Sequence, residues 1–185
     1  FAPWSDREAQ MRQRNETLTT LESGLPVSQA DILGISFQHE LTYTNALLLL
    51  DLAGLPLCSR DRDETHPLVI AGGACAFNPA PMSPFVDAFV IGEAEEAVLD
   101  LADSVLESKD RYRSRLETLL ELSKLEGVFV PSLYSTIHNR LGELCFGPPL
   151  YPAVRSTVRK RLIDFDSHPY PVNQPVPNAR IVQRR

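Results

Sequence analysis

Two short apolar runs that each stop at glycine set the pattern of this chain. Pro67-Leu-Val-Ile-Ala71 is too short for a helix, is rich in β-branched residues and ends in Gly72-Gly73. Ala88-Phe-Val-Ile91 ends at Gly92 and is followed by Glu93 to Glu96 and then by apolar positions at helical spacing, Ala97, Val98, Leu101 and Val105. Runs of this kind read as buried strands that end in turns. Two such strands separated by a crossover belong in a parallel sheet covered by helices, and the loops at their carboxyl ends are where open α/β sheets hold ligands.

The rest of the chain fills in around them. Phe1 to Trp4 reads as the end of a strand, Ser5 or Asp6 caps a helix to about Asn15, and Leu18 to Leu21 reads as a short edge strand. Asp31 to Phe37 is a further internal strand that ends in the polar loop Gln38-His39-Glu40. Thr42 or Thr44 caps a helix from Tyr43 to Ala53, closed by Gly54 and Pro56, and Ser59 to His66 is a charged loop. After a helix from Glu95 to about Leu106 comes a second helical pattern (Tyr112, Leu116, Leu119, Leu120, Leu122), so strand and helix cease to alternate. Val128 to Ile137 and Glu143 to Phe146 read as a β-hairpin turning at Asn139 to Gly142. From Gly147 onward prolines recur at 148, 149, 152, 169, 171, 175 and 177, and basic residues outnumber acidic ones. This predicts an extended segment without its own core that lies on an acidic surface or a neighbouring domain.

Composition narrows the function classes. With 185 residues, 43% of them apolar, the chain can bury a core. A net charge of −6 argues against bulk affinity for nucleic acid. The 3 cysteines, Cys58, Cys75 and Cys145, are too few and too scattered for a disulfide framework or a CxxC knuckle, which suits a reducing cytoplasm. No apolar run is long enough to span a bilayer and no signal peptide is visible. Because the sequence starts at Phe1 rather than methionine, a fragment is expected.

Candidate chemistry concentrates at the two glycine turns. Gly72-Gly73 has two readings, a turn that needs positive φ or a place where a ligand approaches backbone closely. Gly92-Glu93-Ala94-Glu95-Glu96 offers the same choice, and its acids suit a helix amino terminus while making a poor phosphate cradle. His39, His66, His138 and His168 lie far apart, which gives no zinc pattern, and Asp166-Ser-His168 sits in the proline-rich tail. There is no Gly-x-Ser-x-Gly elbow. Cys75 reads as a small core residue.

Three segments together resemble a known family. Asp31-Ile-Leu-Gly-Ile-Ser-Phe-Gln-His-Glu-Leu-Thr-Tyr-Thr-Asn45, Val69-Ile-Ala-Gly-Gly73 with Pro79 beyond it, and Val86-Asp-Ala-Phe-Val-Ile-Gly-Glu-Ala-Glu-Glu96 are similar to the cobalamin-binding domain that precedes the barrel of many radical SAM enzymes. Arg161-Leu-Ile-Asp-Phe-Asp166 with Pro169 resembles the bridge into that barrel in an uncharacterised subgroup. The resemblance implies a flavodoxin-like (Rossmann-type) parallel sheet over residues 1–106 that lacks its first strand, a helix and small β-hairpin over 107–147, and a basic connector over 148–185 leading to a barrel that would follow. The cofactor would be cobalamin, carried by position to Ser36, Gln38, Thr42, Gly72, Gly73, Gly92, Glu93 and Ala94. S-adenosylmethionine and a four-iron cluster would belong to the barrel, and this chain would not be catalytic alone.

Departures from the family pattern sharpen the expectations. Ala94 stands where a second glycine is usual, and no Asp-x-His-x-x-Gly motif supplies a histidine to cobalt. The family's first strand would precede Phe1, which leaves Ile32 to Phe37 with an open edge and predicts weak cofactor retention, or homodimerisation through that edge. Against a cobalamin-binding module stands a rival of another class, a cofactor-free docking domain that holds the barrel or an RNA partner. A free-standing receiver or nucleotide-binding domain lacks the acidic cluster or P-loop it would need.

Overall fold

The computed structural model describes residues 2–21 and 23–168. Its centre is a four-stranded sheet formed by β1 (Ile32–Ser36), β2 (Leu68–Gly72), β3 (Ala88–Val90) and β4 (Val128–Phe129), in that spatial order. The first three strands are parallel, with Ser36 level with Gly72 and Ala71 level with Phe89, so the two glycine-terminated runs do lie side by side and point the same way. Burial explains their composition: Leu68, Val69, Ile70, Ala71, Ala88, Phe89 and Val90 are all core residues, and a strand covered on both faces carries no polar alternation.

Helices α1 (Ser5–Arg14), α2 (Tyr43–Leu52), α3 (Ala97–Asp110) and α4 (Arg115–Leu122) flank the sheet. Each of the last three buries one apolar stripe: Ala46 and Leu50, then Ala97, Leu101 and Val105, then Leu119 and Leu122. α3 continues past the expected end at Leu106, and α4 starts on a capping box in which Ser114 and Glu117 satisfy each other's backbone amides. The first helix begins at Ser5 with Trp4 at the cap position, Asp6 Oδ1 accepts from the Arg7 amide at 2.8 Å in its first turn, and Ala2 to Trp4 form no strand.

Two expected strands turn out otherwise. Leu18 to Leu21 contributes only an isolated bridge, Thr19 to Pro26. Val128-Phe129 does not open the hairpin but joins the sheet antiparallel to β3, Phe89 against Phe129 and Val90 against Val128. Pro131 starts a 3₁₀ turn through Leu133 that breaks the run. The hairpin is therefore β5 (Tyr134–His138) paired with β6 (Leu144–Pro149), turning where expected at Asn139, whose Oδ1 accepts from the amides of Leu141 and Glu143. Phe129 holds this hairpin to the sheet, with ring centroids 4.9 Å from Tyr134 and 4.8 Å from Phe146.

β1 is an outer strand of the sheet, as the open-edge expectation requires. Asp31 and Phe37 bond to β2, so by alternation Ile32, Gly34 and Ser36 turn their amides and carbonyls to the outside. Beyond β6 the described residues form turns, bends and the single bridge at Arg161, with no helix, and the segment is not free: Val154 is buried in the core and Tyr134 Oη donates to Arg155 O at 2.7 Å. Prolines 169, 171, 175 and 177 and arginines 180, 184 and 185 lie outside the described residues.

Candidate functional site

Because β1, β2 and β3 are parallel, their carboxyl ends share one rim, and seven of the eight expected site residues stand at or just beyond those ends. At the exits of β1 and β2, Phe37 N donates to Gly72 O at 2.7 Å and Cys75 N to Phe37 O at 2.9 Å, which laces the two loops together. Gly73 has φ +95°, and a Cβ there would stand 2.8 Å from Phe37 O and 3.1 Å from Gln38 Nε2. Its bare face is taken up by the neighbouring loop. Gln38 Nε2 donates to Ser36 Oγ at 2.8 Å, and both side chains are exposed beside Gly72.

Thr42 lies further along, at the head of α2, with its hydroxyl donating to His39 O at 2.6 Å. His39 Nδ1 in turn accepts from Leu41 N at 3.2 Å, so this histidine caps a 3₁₀ turn and faces solvent. Cys75 is half-buried against the core, next to Tyr43, whose hydroxyl pKa is raised by burial first and by the thiol second.

The exit of β3 is arranged differently. Gly92, at φ +105°, forms a parallel bridge with Arg161 of the connector: Arg161 N donates to Ile91 O at 2.9 Å and Glu93 N to Arg161 O at 3.0 Å. A Cβ on Gly92 would lie 2.6 Å from Arg161 N and closer still to its carbonyl oxygen. The guanidinium reaches Asp100 Oδ2 at 2.5 Å and Glu96 Oε2 at 2.9 Å, and these bonds, Asp100 first, raise its pKa. Ala94 is exposed beside this contact. Gly92 and Glu93 thus meet the chain's own backbone.

Sequence reasoning missed Arg161 and Asp100. The signal was present in the acids placed at the start of α3, which were read against the helix dipole alone although a basic segment follows later in the chain. Just under the connector, a cavity of about 230 Å³ is lined by Ile91, Phe129, Tyr134, Phe146 and Val158. Among the described residues no group of three His, Cys, Asp or Glu side chains is placed to hold a metal ion, and no helix is long and apolar enough to cross a membrane.

A family model described as the N-terminal part of radical SAM proteins matches residues 1–131. The chain belongs to that family. The matched span closes just after β4, so it takes in the whole four-stranded sheet of this radical SAM N-terminal chain, while the hairpin and the connector follow it. No curated protein and no solved structure matches the chain.

Proposed function

We propose that this chain is the scaffold on which a radical SAM domain of the same polypeptide is seated, with the carboxyl rim of the sheet as the seat and residues 158–168 as the tether. One observation carries this reading. Each strand exit on that rim is followed by a large apolar side chain left in solvent: Leu41 (80% exposed) after β1, Phe77 (61%) after β2, and Leu162 (64%) and Phe165 (65%) beside Arg161 at the exit of β3. Exposed apolar side chains next to successive strand exits support an interaction surface along that edge. Family membership supplies the occupant, since an N-terminal segment of radical SAM proteins has the cluster-bearing domain as its natural neighbour. The catalytic chemistry, with S-adenosylmethionine and an iron–sulfur cluster, then belongs to that neighbour.

A second reading keeps the corrinoid. It is favoured by the exposed polar pair Ser36 and Gln38 beside Gly72, which would orient the cofactor's nucleotide tail at the β1 and β2 exits. The other half of the site does not fit as it stands, because the amide of Glu93 and the open face of Gly92 are spent on Arg161. A corrinoid that used Gly92, Glu93 and Ala94 would have to displace the connector.

Both readings are tested on the full-length polypeptide. Phe77→Asp combined with Leu162→Asp is expected to loosen the module from the radical SAM domain, seen as faster hydrogen exchange at the rim and a larger radius of gyration in solution scattering. Unchanged exchange and scattering would rule out the rim as the seat. Titration with hydroxocobalamin, followed by its visible spectrum, decides the second reading: a shift that is lost in Ser36→Val and Gln38→Leu supports it, and an unperturbed spectrum removes it.

A further inference from the structure

We infer that the exit of β3 is a slot for an extended peptide bearing an arginine, and that its present occupant, residues 160–162 of the connector, is held there exchangeably. Two glycines from different loops form the walls. Gly92 (φ +105°) and Gly127 (φ +78°) both have positive φ, and a Cβ on Gly127 would lie 2.9 Å from the Cβ of Arg161. Side chains on either wall would close the slot. Between the walls, Ile91 O and Glu93 N offer one acceptor and one donor to the backbone of a parallel strand, and Arg161 uses both. This part of the slot is indifferent to sequence, as in strand addition to a sheet edge.

Selectivity comes from the socket above it. Glu96 and Asp100 stand four residues apart at the start of α3, so their carboxylates project from one face and converge on the guanidinium. The Arg161 side chain is only 12% exposed there, whereas Glu96 and Asp100 remain 50% and 45% exposed. A planar guanidinium takes one carboxylate on each nitrogen; an ammonium presents no such fork.

Around Arg161 the described part of the connector adds only the packing of Val158 against the core and an approach of His168 Nδ1 to Glu96 Oε1 at 3.9 Å. Arg159, Lys160 and Leu162 are exposed, and the one bridge at Gly92 is the only strand pairing the connector makes among the described residues. A segment held by so few bonds opens locally at far lower cost than global unfolding. Opening frees the Ile91 carbonyl, the Glu93 amide and two half-exposed carboxylates, a site for another arginine-bearing strand. The slot opens in this way whatever the rim carries.

Limited trypsin digestion of the whole chain tests it, because trypsin cuts after Arg159 and Lys160 and its rate there reports opening when reclosing is fast. Glu96→Gln with Asp100→Asn is expected to raise cleavage at these two bonds at least about tenfold, the equivalent of about 1.4 kcal/mol, with no change at Arg115 at the head of α4. A synthetic peptide of residues 156–166 is expected to bind the full chain carrying Arg161→Glu, and the same peptide with its central arginine replaced by lysine to bind more weakly. In the wild-type chain the Glu93 amide is expected to exchange with little dependence on denaturant, a measurement that stands even if the double variant fails to fold. Cleavage that rises only together with cleavage at Arg115, or a Glu93 amide that exchanges only through global unfolding, would overturn the slot and make Arg161 a fixed part of the fold.

Discussion

Asp87 Oδ2 accepts from Arg115 Nη2 at 2.9 Å, and this contact ties the residue just before β3 to the first turn of α4 at the amino-terminal rim of the sheet. The same oxygen accepts from the Val69 amide at 2.7 Å and lies 3.2 Å from Arg62 Nη2. Arg62, fully buried, also donates to the carbonyls of Pro56, Leu57 and Phe85, and Arg115 to those of Asp63, His66 and Pro67. Burial lowers the pKa of Arg62 and Asp87 raises it, so the carboxylate offsets part of the cost of keeping the guanidinium out of water. The rim opposite the candidate site is therefore a structural lock.

Removing the shared carboxylate leaves two arginines buried without a counter-charge. Asp87→Ala is expected to cost about 3–5 kcal/mol, and Asp87→Asn less, because the amide oxygen still accepts from Val69. Urea denaturation of the three proteins checks the order, and a loss below about 1 kcal/mol for the alanine variant would contradict it.

Glycines on the carboxyl rim and in the edge strand are expected to respond oppositely to the same change. Gly73→Ala places a Cβ 2.8 Å from Phe37 O at φ +95° and is expected to destabilise by at least about 1–2 kcal/mol. Gly34, in the middle of β1, has ordinary φ and nothing within 4 Å of an added Cβ, so Gly34→Ala is expected to stabilise by up to about 0.5–1 kcal/mol. Thermal melts of both variants side by side give the comparison.

Acid is expected to weaken the fold in a defined window. Asp63 is held at about 2, chiefly by the hydroxyl and amide of Thr65, with a smaller part from His66. Glu117 lies below its usual value because the Ser114 amide and hydroxyl bond to it. Folded values below the unfolded ones mean that this stability is complete above the ordinary carboxylate pKa and drains away as pH falls from about 4.5 to about 2. Melting temperatures between about pH 6 and pH 2 are expected to fall across that window, and Glu117→Gln, which can still accept the Ser114 amide but does not titrate, to flatten part of the slope. A melting temperature that rose on acidification would refute the assignment.

The chain's own pattern of apolar and polar residues determined where the parallel strands lie, which end of each carries glycine, and that two helices follow one another before a hairpin. Those features are local: strand period, helix period and turn chemistry act over a few residues, so they are legible without a fold. The same holds for Ser36, Gln38, Gly72 and Gly73, which parallel pairing was bound to bring to one rim. Only the tertiary structure decided that Val128-Phe129 leaves the hairpin for the sheet, that Asp87 gathers Arg62 and Arg115, and that Arg161 crosses the exit of β3. Each of these is a contact between residues distant in sequence, chosen by which buried charge or backbone group still needed a partner. A glycine-ended strand announces an open face; what fills that face is settled by the rest of the chain.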